Sequence, residues 1–173
     1  MAQRVVGAVL AGGRSLRMGT DKAAVVVDGA PMSLLVRQAL GAVCDEVLVV
    51  GGVGADVFDD GDGPLIAVVA LLRSGRGTHF VIAATDQPRL APQVLQPLLD
   101  AHGDDDNGVA WEGEPLPLCI SISALPRLEA AIAAGERRLR AAVTVWLPVT
   151  SIAVRAGLID VDTPADLEAL RQT

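Results

Sequence analysis

The residues best suited to chemistry are gathered in one short stretch, Leu10-Ala11-Gly12-Gly13-Arg14-Ser15-Leu16-Arg17-Met18-Gly19-Thr20-Asp21-Lys22. Gly12 and Gly13 leave backbone N–H groups open to an anion, with no side chain in the way. Arg17 adds a forked cation and Lys22 a compact one within the same loop. Together they offer phosphate binding. The spacing excludes two familiar phosphate loops. A Walker loop needs Gly-Lys followed by Ser or Thr, whereas Gly19 is followed by Thr20-Asp21-Lys22. A dinucleotide fingerprint needs Gly-x-Gly-x-x-Gly, and Gly12 is followed by Gly13 and Arg14. Gly52-Val53-Gly54 comes nearer but carries Val57 at the third glycine position.

The carboxylates are more scattered. Asp86 follows the apolar run Phe80 to Ala84 and precedes Gln87-Pro88, which puts it at the carboxyl end of a strand. A carboxylate there can hold Mg²⁺, which prefers oxygen ligands and bridges triphosphate oxygens. It can equally form an Asx-turn before Pro88. Asp59-Asp60-Gly61-Asp62-Gly63 reads as a solvated turn or as a ligand-bearing one. A calcium loop is excluded, because Leu71 occupies the region where the closing Glu belongs. His79 and His102 have no Ser or Cys at a recognisable spacing, so no catalytic triad is expected. Both are expected as surface residues flanking elements. Cys44 and Cys119 lack paired metal-ligand spacing and read as small buried hydrophobes of a reducing cytoplasm.

The elements that must position these groups follow from apolar patterning. Val5 to Leu10 is a buried strand ended by glycines, and Ala23 to Val27 a second, closed by the tight-turn pair Asp28-Gly29. Met32, Leu35, Val36, Ala39, Leu40 and Val43 form one helical face. Glu46 to Val50 is a strand, and Leu65 to Leu72 a buried helix between Gly63-Pro64 and Ser74-Gly75. Phe80 to Ala84 is a further buried strand. Leu95, Leu98 and Leu99 mark a helix ending near His102-Gly103, and Asp104 to Gly108 a solvated loop. Short strands are expected around Val109-Trp111 and Leu118-Ile122, then a helical stripe through Leu125, Leu128 and Ile132. Thr163, Pro164 and Asp166 open a last helix with a capping residue, a first-turn proline and an acid three after the cap. Strands alternating with helices predict a single α/β domain of Rossmann-like, three-layer form with a mainly parallel sheet. Ligands in such sheets bind at the strands' carboxyl ends, here the loops after Leu10, Val50 and Ala84.

Composition agrees. The 173 residues are 51% hydrophobic and 20% charged, with a net charge of −7. Disorder is excluded by the hydrophobicity, and general nucleic-acid binding by the acidic balance. With two Phe, two Trp and no Tyr, stacking platforms for single strands are nearly absent. The longest apolar run, Leu65 to Leu72, is far below the roughly 20 residues that cross a membrane. Arg4 with Val5 to Ala11 only faintly imitates a signal peptide, so a cytoplasmic protein is expected.

Leu-Ala-Gly-Gly-x-x-x-Arg-Met-Gly-x-Asp-Lys over Leu10 to Lys22 resembles the signature of the molybdenum cofactor guanylyltransferases, MobA-type nucleotidyltransferases with a Rossmann-like fold. The resemblance implies transfer of GMP from GTP to molybdopterin with release of pyrophosphate. Leu10, Ala11, Gly12, Gly13 and Gly52 would then cradle the nucleotide, and Arg17 and Lys22 would neutralise its triphosphate. Asp86 matches the family's Asp-x-Pro motif and would hold Mg²⁺. Gly63-Pro64-Leu65 matches a family anchor that follows a nucleotide-binding aspartate, making Asp60 the best match and Asp59 the next. Arg137 and Arg138, in Gly135-Glu136-Arg137-Arg138, resemble an acceptor-side segment that could meet a pterin phosphate; an exposed helix start is the plain alternative. Asp160-Val161-Asp162-Thr163-Pro164 resembles the closing motif, but Asp160 and Asp162 stand where the guanylyl enzymes usually have Asn. An Asn expected near Gly51-Gly52 is also absent, and Gln87 resembles the Asp-Gln-Pro of the related cytidylyltransferases. These departures keep open CTP, another phosphorylated acceptor, or a non-catalytic nucleotide-binding module. The nucleotide half is expected at about residues 1–100 and the acceptor half at about 101–173, with a molybdoenzyme or cofactor carrier as a partner.

Overall fold

The computed structural model describes residues 4–11, 25–52, 54–59, 63–103, 108–153, 161 and 163–171. β1 (Val5–Leu10), β4 (Glu46–Val50) and β5 (His79–Ala84) fall where apolar runs predict strands. Val26–Val27 (β2) and Ala30–Pro31 (β3) form a minimal hairpin, turned by Asp28 at φ 51° and Gly29 at φ 82°. Two successive positive φ values suit that Asp-Gly pair. Between the strands lie α1 (Met32–Gly41), α2 (Pro64–Arg73) and α3 (Pro92–Ala101). Then come β6 (Gly108–Trp111), β7 (Leu118–Ser121) and α4 (Leu125–Ala133).

Two elements were not legible in the sequence. A single helical turn, α5 (Leu139–Ala141), widens into a π-turn over Ala142–Trp146, and β8 (Val149–Ile152) follows. The chain closes with α6 (Pro164–Arg171), whose predicted cap is present as a reciprocal pair. Thr163 N donates to Asp166 Oδ2 at 2.7 Å, and Asp166 N donates back to Thr163 Oγ1 at 3.2 Å.

The six-stranded sheet has the order β4-β1-β5-β7-β6-β8, and only β7 runs against the rest. The mainly parallel sheet is thus as expected. Alternation along the strands builds two cores. Val6, Ala8, Leu10, Phe80 and Ile82 face α2, α4 and the π-turn, while Val9, Val81 and Ala83 face α1 and α3. Gly7 lets α1 lie close on the sheet, since a Cβ there would sit 3.0 Å from Leu40 Cβ and 3.2 Å from Cys44 Sγ. A third, small cluster joins the hairpin to the closing motif through Val27, Met32 and Val161.

One expectation is corrected. His102 is buried rather than superficial, packed edge-to-face on His79 with ring centroids 5.1 Å apart. α3 packs over β6 and β7, and His102, just past its end, meets His79 at the start of β5. Among the described residues, no helix is long and apolar enough to cross a membrane.

Candidate active site

The carboxyl ends of β4, β1 and β5 lie side by side, and the candidate residues issue from them. Leu10 ends β1, and Ala11 is pinned to the neighbouring strand by its N–H, which donates to Val50 O at 2.9 Å. Gly12, Gly13, Arg17 and Lys22 continue from that point and lie outside the described residues, as do Asp60, Asp160 and Asp162.

Gly51 and Gly52 turn the chain at φ 75° and 84° after β4. Gly52 lies against the start of the loop, with its would-be Cβ 3.6 Å from Ala11 O. The chain then doubles back beside β4. Gly51 N donates to Val57 O at 2.9 Å, Val50 and Val57 bridge in parallel, and Asp56 Oδ2 accepts from Val49 N at 2.8 Å. That return delivers Asp59, 8% exposed, onto the turn, its carboxyl atoms 3.0–3.1 Å from the position of a Gly51 Cβ. Only glycine at 51 admits the carboxylate so closely. Of the two aspartates weighed for this role, Asp59 is the described one.

Asp86 stands past the end of β5, partly exposed. Its carbonyl accepts from Val161 N at 2.8 Å, which ties the closing motif directly to the Asp86 loop. The same loop is held from the other side by Arg89, whose guanidinium lies 2.8 Å from the Asp28 carboxylate in the hairpin turn. Three segments remote in sequence are therefore clamped together: the hairpin downstream of Lys22, the loop Asp86 to Arg89, and the closing motif. Sequence reading missed this clamp. Arg89 carried no signal there, because its partner lies 61 positions away.

Gln87 is buried, with its side-chain oxygen accepting from Ala84 N at 3.4 Å and its amide nitrogen donating to Leu116 O at 3.1 Å. It braces the end of β5 against the loop between β6 and β7. Its amide is engaged inside the protein rather than turned toward a nucleotide.

Arg137 and Arg138 lie beside the start of α2, where a Gly63 Cβ would sit 3.9 Å from Arg137 O. The Arg137 guanidinium donates to Ile132 O at 2.9 Å and Glu136 O at 2.8 Å, which binds it to its own turn. Arg138 is 82% exposed and reaches Glu136 at 3.4 Å. The backbone N–H groups of Arg138 and Arg137 both donate to Glu136 and hold its carboxyl below its ordinary value. Arg138 therefore extends a guanidinium into solvent, while Arg137 stabilises the turn that presents it.

A divalent cation is implied at Asp86, and the donor chemistry fits. Mg²⁺ is held through one or two carboxylates plus substrate phosphates, keeping several waters, rather than by an all-protein cage. Among the described residues no group of three or more His, Cys, Asp or Glu could hold a metal by itself. A partly exposed carboxylate at the strand end suits an ion that arrives with its nucleotide.

Comparison with known proteins bears on the family and the fold. A MobA-like NTP transferase domain matches residues 7–147. A probable molybdenum cofactor guanylyltransferase of Mycobacterium marinum is 33% identical, over 97% of this chain and 94% of its own length. The molybdenum cofactor guanylyltransferase of Burkholderia vietnamiensis is 32% identical, over 79% of this chain and 80% of its own. Among solved structures, molybdopterin-guanine dinucleotide biosynthesis protein A of Archaeoglobus fulgidus superposes with a TM-score of 0.72 at 24% identity, covering 96% of this chain and 97% of that one. The 2-C-methyl-D-erythritol 4-phosphate cytidylyltransferase of Thermus thermophilus shares the fold at a TM-score of 0.70 and 16% identity, covering 95% and 96%.

Proposed function

The chain belongs to the MobA-like NTP transferase family and is a nucleotidyltransferase, and we propose that it transfers GMP from GTP to a molybdopterin-type acceptor, releasing pyrophosphate. The observation that carries the reading is the convergence of Ala11, the Gly51-Gly52 turn with Asp59, and Asp86 on one sheet edge. Leu10 and Ala11, with which the glycine-rich stretch begins in sequence, stand at the same edge. Guanylyl rather than cytidylyl transfer is supported by the names of the relatives and by the inward engagement of Gln87.

In this mechanism an oxygen of the acceptor's terminal phosphate attacks the α-phosphorus of GTP. A new P–O bond forms there as the bond to the β-phosphate bridging oxygen breaks, and pyrophosphate leaves. Leu10, Ala11, Gly12, Gly13 and Gly52 cradle the nucleotide with backbone groups, and Arg17 and Lys22 balance the charge on the triphosphate and the leaving group. Asp86 would hold the divalent cation, Mg²⁺ in our reading, and that ion would supply neutralisation of phosphate charge when bound. Asp59, with Asp60 beside it in sequence, provides the nucleotide-side carboxylate. Arg138, with Arg137 securing its turn, and the segment Asp160 to Asp162 serve the acceptor. No side-chain nucleophile is needed, because alignment and electrostatics suffice. The nucleotide is handled by about residues 1–100 and the acceptor by about 101–173. The two unpaired thiols suit a reducing cytoplasm, and a molybdoenzyme or cofactor carrier would take the product.

The test is pyrophosphate release from GTP, CTP, ATP and UTP with Mg²⁺ and a molybdopterin acceptor. Asp86→Asn should lower GTP-dependent release by about 10²-fold or more, and chelation of the cation should abolish it. Undiminished Mg²⁺-dependent release by that variant removes Asp86 from the mechanism. Transfer from CTP alone overturns the guanine assignment.

A further inference from the structure

Asp86 leaves the sheet where two strands part. On one side β5 stays paired with β1 to its last residue, Ala84 opposite Leu10. On the other its antiparallel pairing with β7 stops two residues short, at Ile82 opposite Leu118. Ile122 N donates to Thr78 O, so the hydrogen-bonded pairs of that ladder fall on Thr78–Ile122 and on every second residue from it. The next such pair beyond Ile82–Leu118 is Ala84–Leu116, and there a side chain stands between the strands. Gln87 Oε1 accepts from Ala84 N at 3.4 Å, and Gln87 Nε2 donates to Leu116 O at 3.1 Å. A carboxamide carries the donor and the acceptor of a peptide group, and this one fills the rung that the parting strands leave.

Asp86 is mounted beside that rung. Thr85, Gln87 and Pro88 are buried, Gln87 to 4% exposure, whereas Asp86 between them is partly exposed. Buried neighbours on both sides turn Asp86 outward. The main chain is fixed as well. Leu90 N donates to Gln87 O at 3.0 Å, Pro88 confines Gln87 to extended backbone, and Val161 N donates to Asp86 O at 2.8 Å. With the main chain held at those points, the Gln87 amide sets how far β5 parts from Leu116, and with it the direction in which Asp86 projects.

We propose that Gln87 is a positioning residue, its carboxamide rung setting the Asp86 carboxylate for the divalent cation and the nucleotide. The assignment rests on the role given to Asp86 above. Such a residue acts through geometry alone, and an error of about 1 Å at a reacting group costs about 10²-fold in rate.

Two variants of similar size separate positioning from packing. Gln87→Met keeps the bulk and makes neither hydrogen bond. Gln87→Glu keeps an acceptor for Ala84 N, but it donates to Leu116 O only when protonated. At about pH 8 both should release pyrophosphate from GTP about tenfold more slowly or worse. Titration calorimetry gives a readout apart from turnover. GTP affinity without Mg²⁺ should equal wild type, which verifies the fold, and the gain in affinity on adding Mg²⁺ should shrink about tenfold. Burial raises a carboxyl pKa, so the rate of Gln87→Glu relative to wild type should rise about fivefold or more from about pH 8 to about pH 6. The relative rate of Gln87→Met should stay constant. A rate and a Mg²⁺ gain equal to wild type in both variants overturn the proposal, and so does a Gln87→Glu deficit that acid leaves unchanged. A Mg²⁺ gain lost in Gln87→Met, in a protein that transfers nothing from GTP, upholds the positioning of Asp86 and overturns the transfer reading instead. Absence of any Mg²⁺ gain in the wild type overturns both.

Discussion

Replacing Gly51 by alanine perturbs the site at its tightest point. Gly51 has φ 75°, and a Cβ there would lie 3.0–3.1 Å from the carboxyl atoms of buried Asp59. The left-handed backbone alone costs a non-glycine residue about 1–2 kcal/mol. Displacing a buried carboxylate from its partners adds about 1–3 kcal/mol. Gly75 supplies the control. It has φ 66° in the turn after α2, and a Cβ there meets nothing within 4 Å, so Gly75→Ala incurs only the backbone cost. At about 2–4 °C per kcal/mol for a domain of this size, Gly75→Ala should lower Tm by about 2–8 °C and Gly51→Ala by clearly more. GTP binding, measured by titration calorimetry with Mg²⁺, should weaken about tenfold or more in Gly51→Ala, equivalent to about 1.4 kcal/mol, and stay unaltered in Gly75→Ala. Equal Tm losses with equal GTP affinities would refute the reasoning, since the approach of Asp59 to the turn would then count for nothing.

Two further outcomes follow from ionisation. Glu46 is held below its ordinary 4.5 by the hydrogen bond from Arg76, with the charges of Arg76 and Arg4 acting in the same direction. A lowered carboxyl stabilises the fold above its unfolded value and loses that contribution as pH falls through the folded one. The Tm difference between wild type and Glu46→Gln should therefore be constant above about pH 4.5 and close below it; a gap that widens on acidification contradicts the pairing. Burial pushes the thiols of Cys44 and Cys119 up to about 12, with Asp45 adding to the effect at Cys44. Native protein at pH 8 should react with a thiol reagent about a thousandfold more slowly than unfolded protein. Rapid native labelling of either cysteine, located by mass spectrometry, would contradict that burial.

The sequence by itself determined the parts whose signals are short-ranged. Val5–Leu10, Glu46–Val50 and the α2 run are continuous apolar segments bounded by turn residues, and each forms the predicted element. Asp28-Gly29 and the Thr163–Asp166 cap carry their geometry in adjacent side chains, and both appear as read. The glycine and cation spacing of the first loop, with the resemblance it carries, pointed to the family. β8 left no such trace, because an edge strand with partly buried ends and two exposed polar residues, Thr150 and Ser151, between them shows no apolar alternation. The π-turn likewise packs against α4, a contact that no local pattern announces.

Tertiary structure alone decided which distant residues meet. Asp86 O and Val161 N, Arg89 and Asp28, and Glu114 and Arg140 become neighbours only because the strand order β4-β1-β5-β7-β6-β8 brings their loops to one region. Asp59 reaches Gly51 because the chain returns along β4 over a glycine that yields the space. Helix caps and apolar periods are written in residues a few positions apart, whereas a site built from strand ends depends on sheet order and crossover, to which no local window of sequence has access.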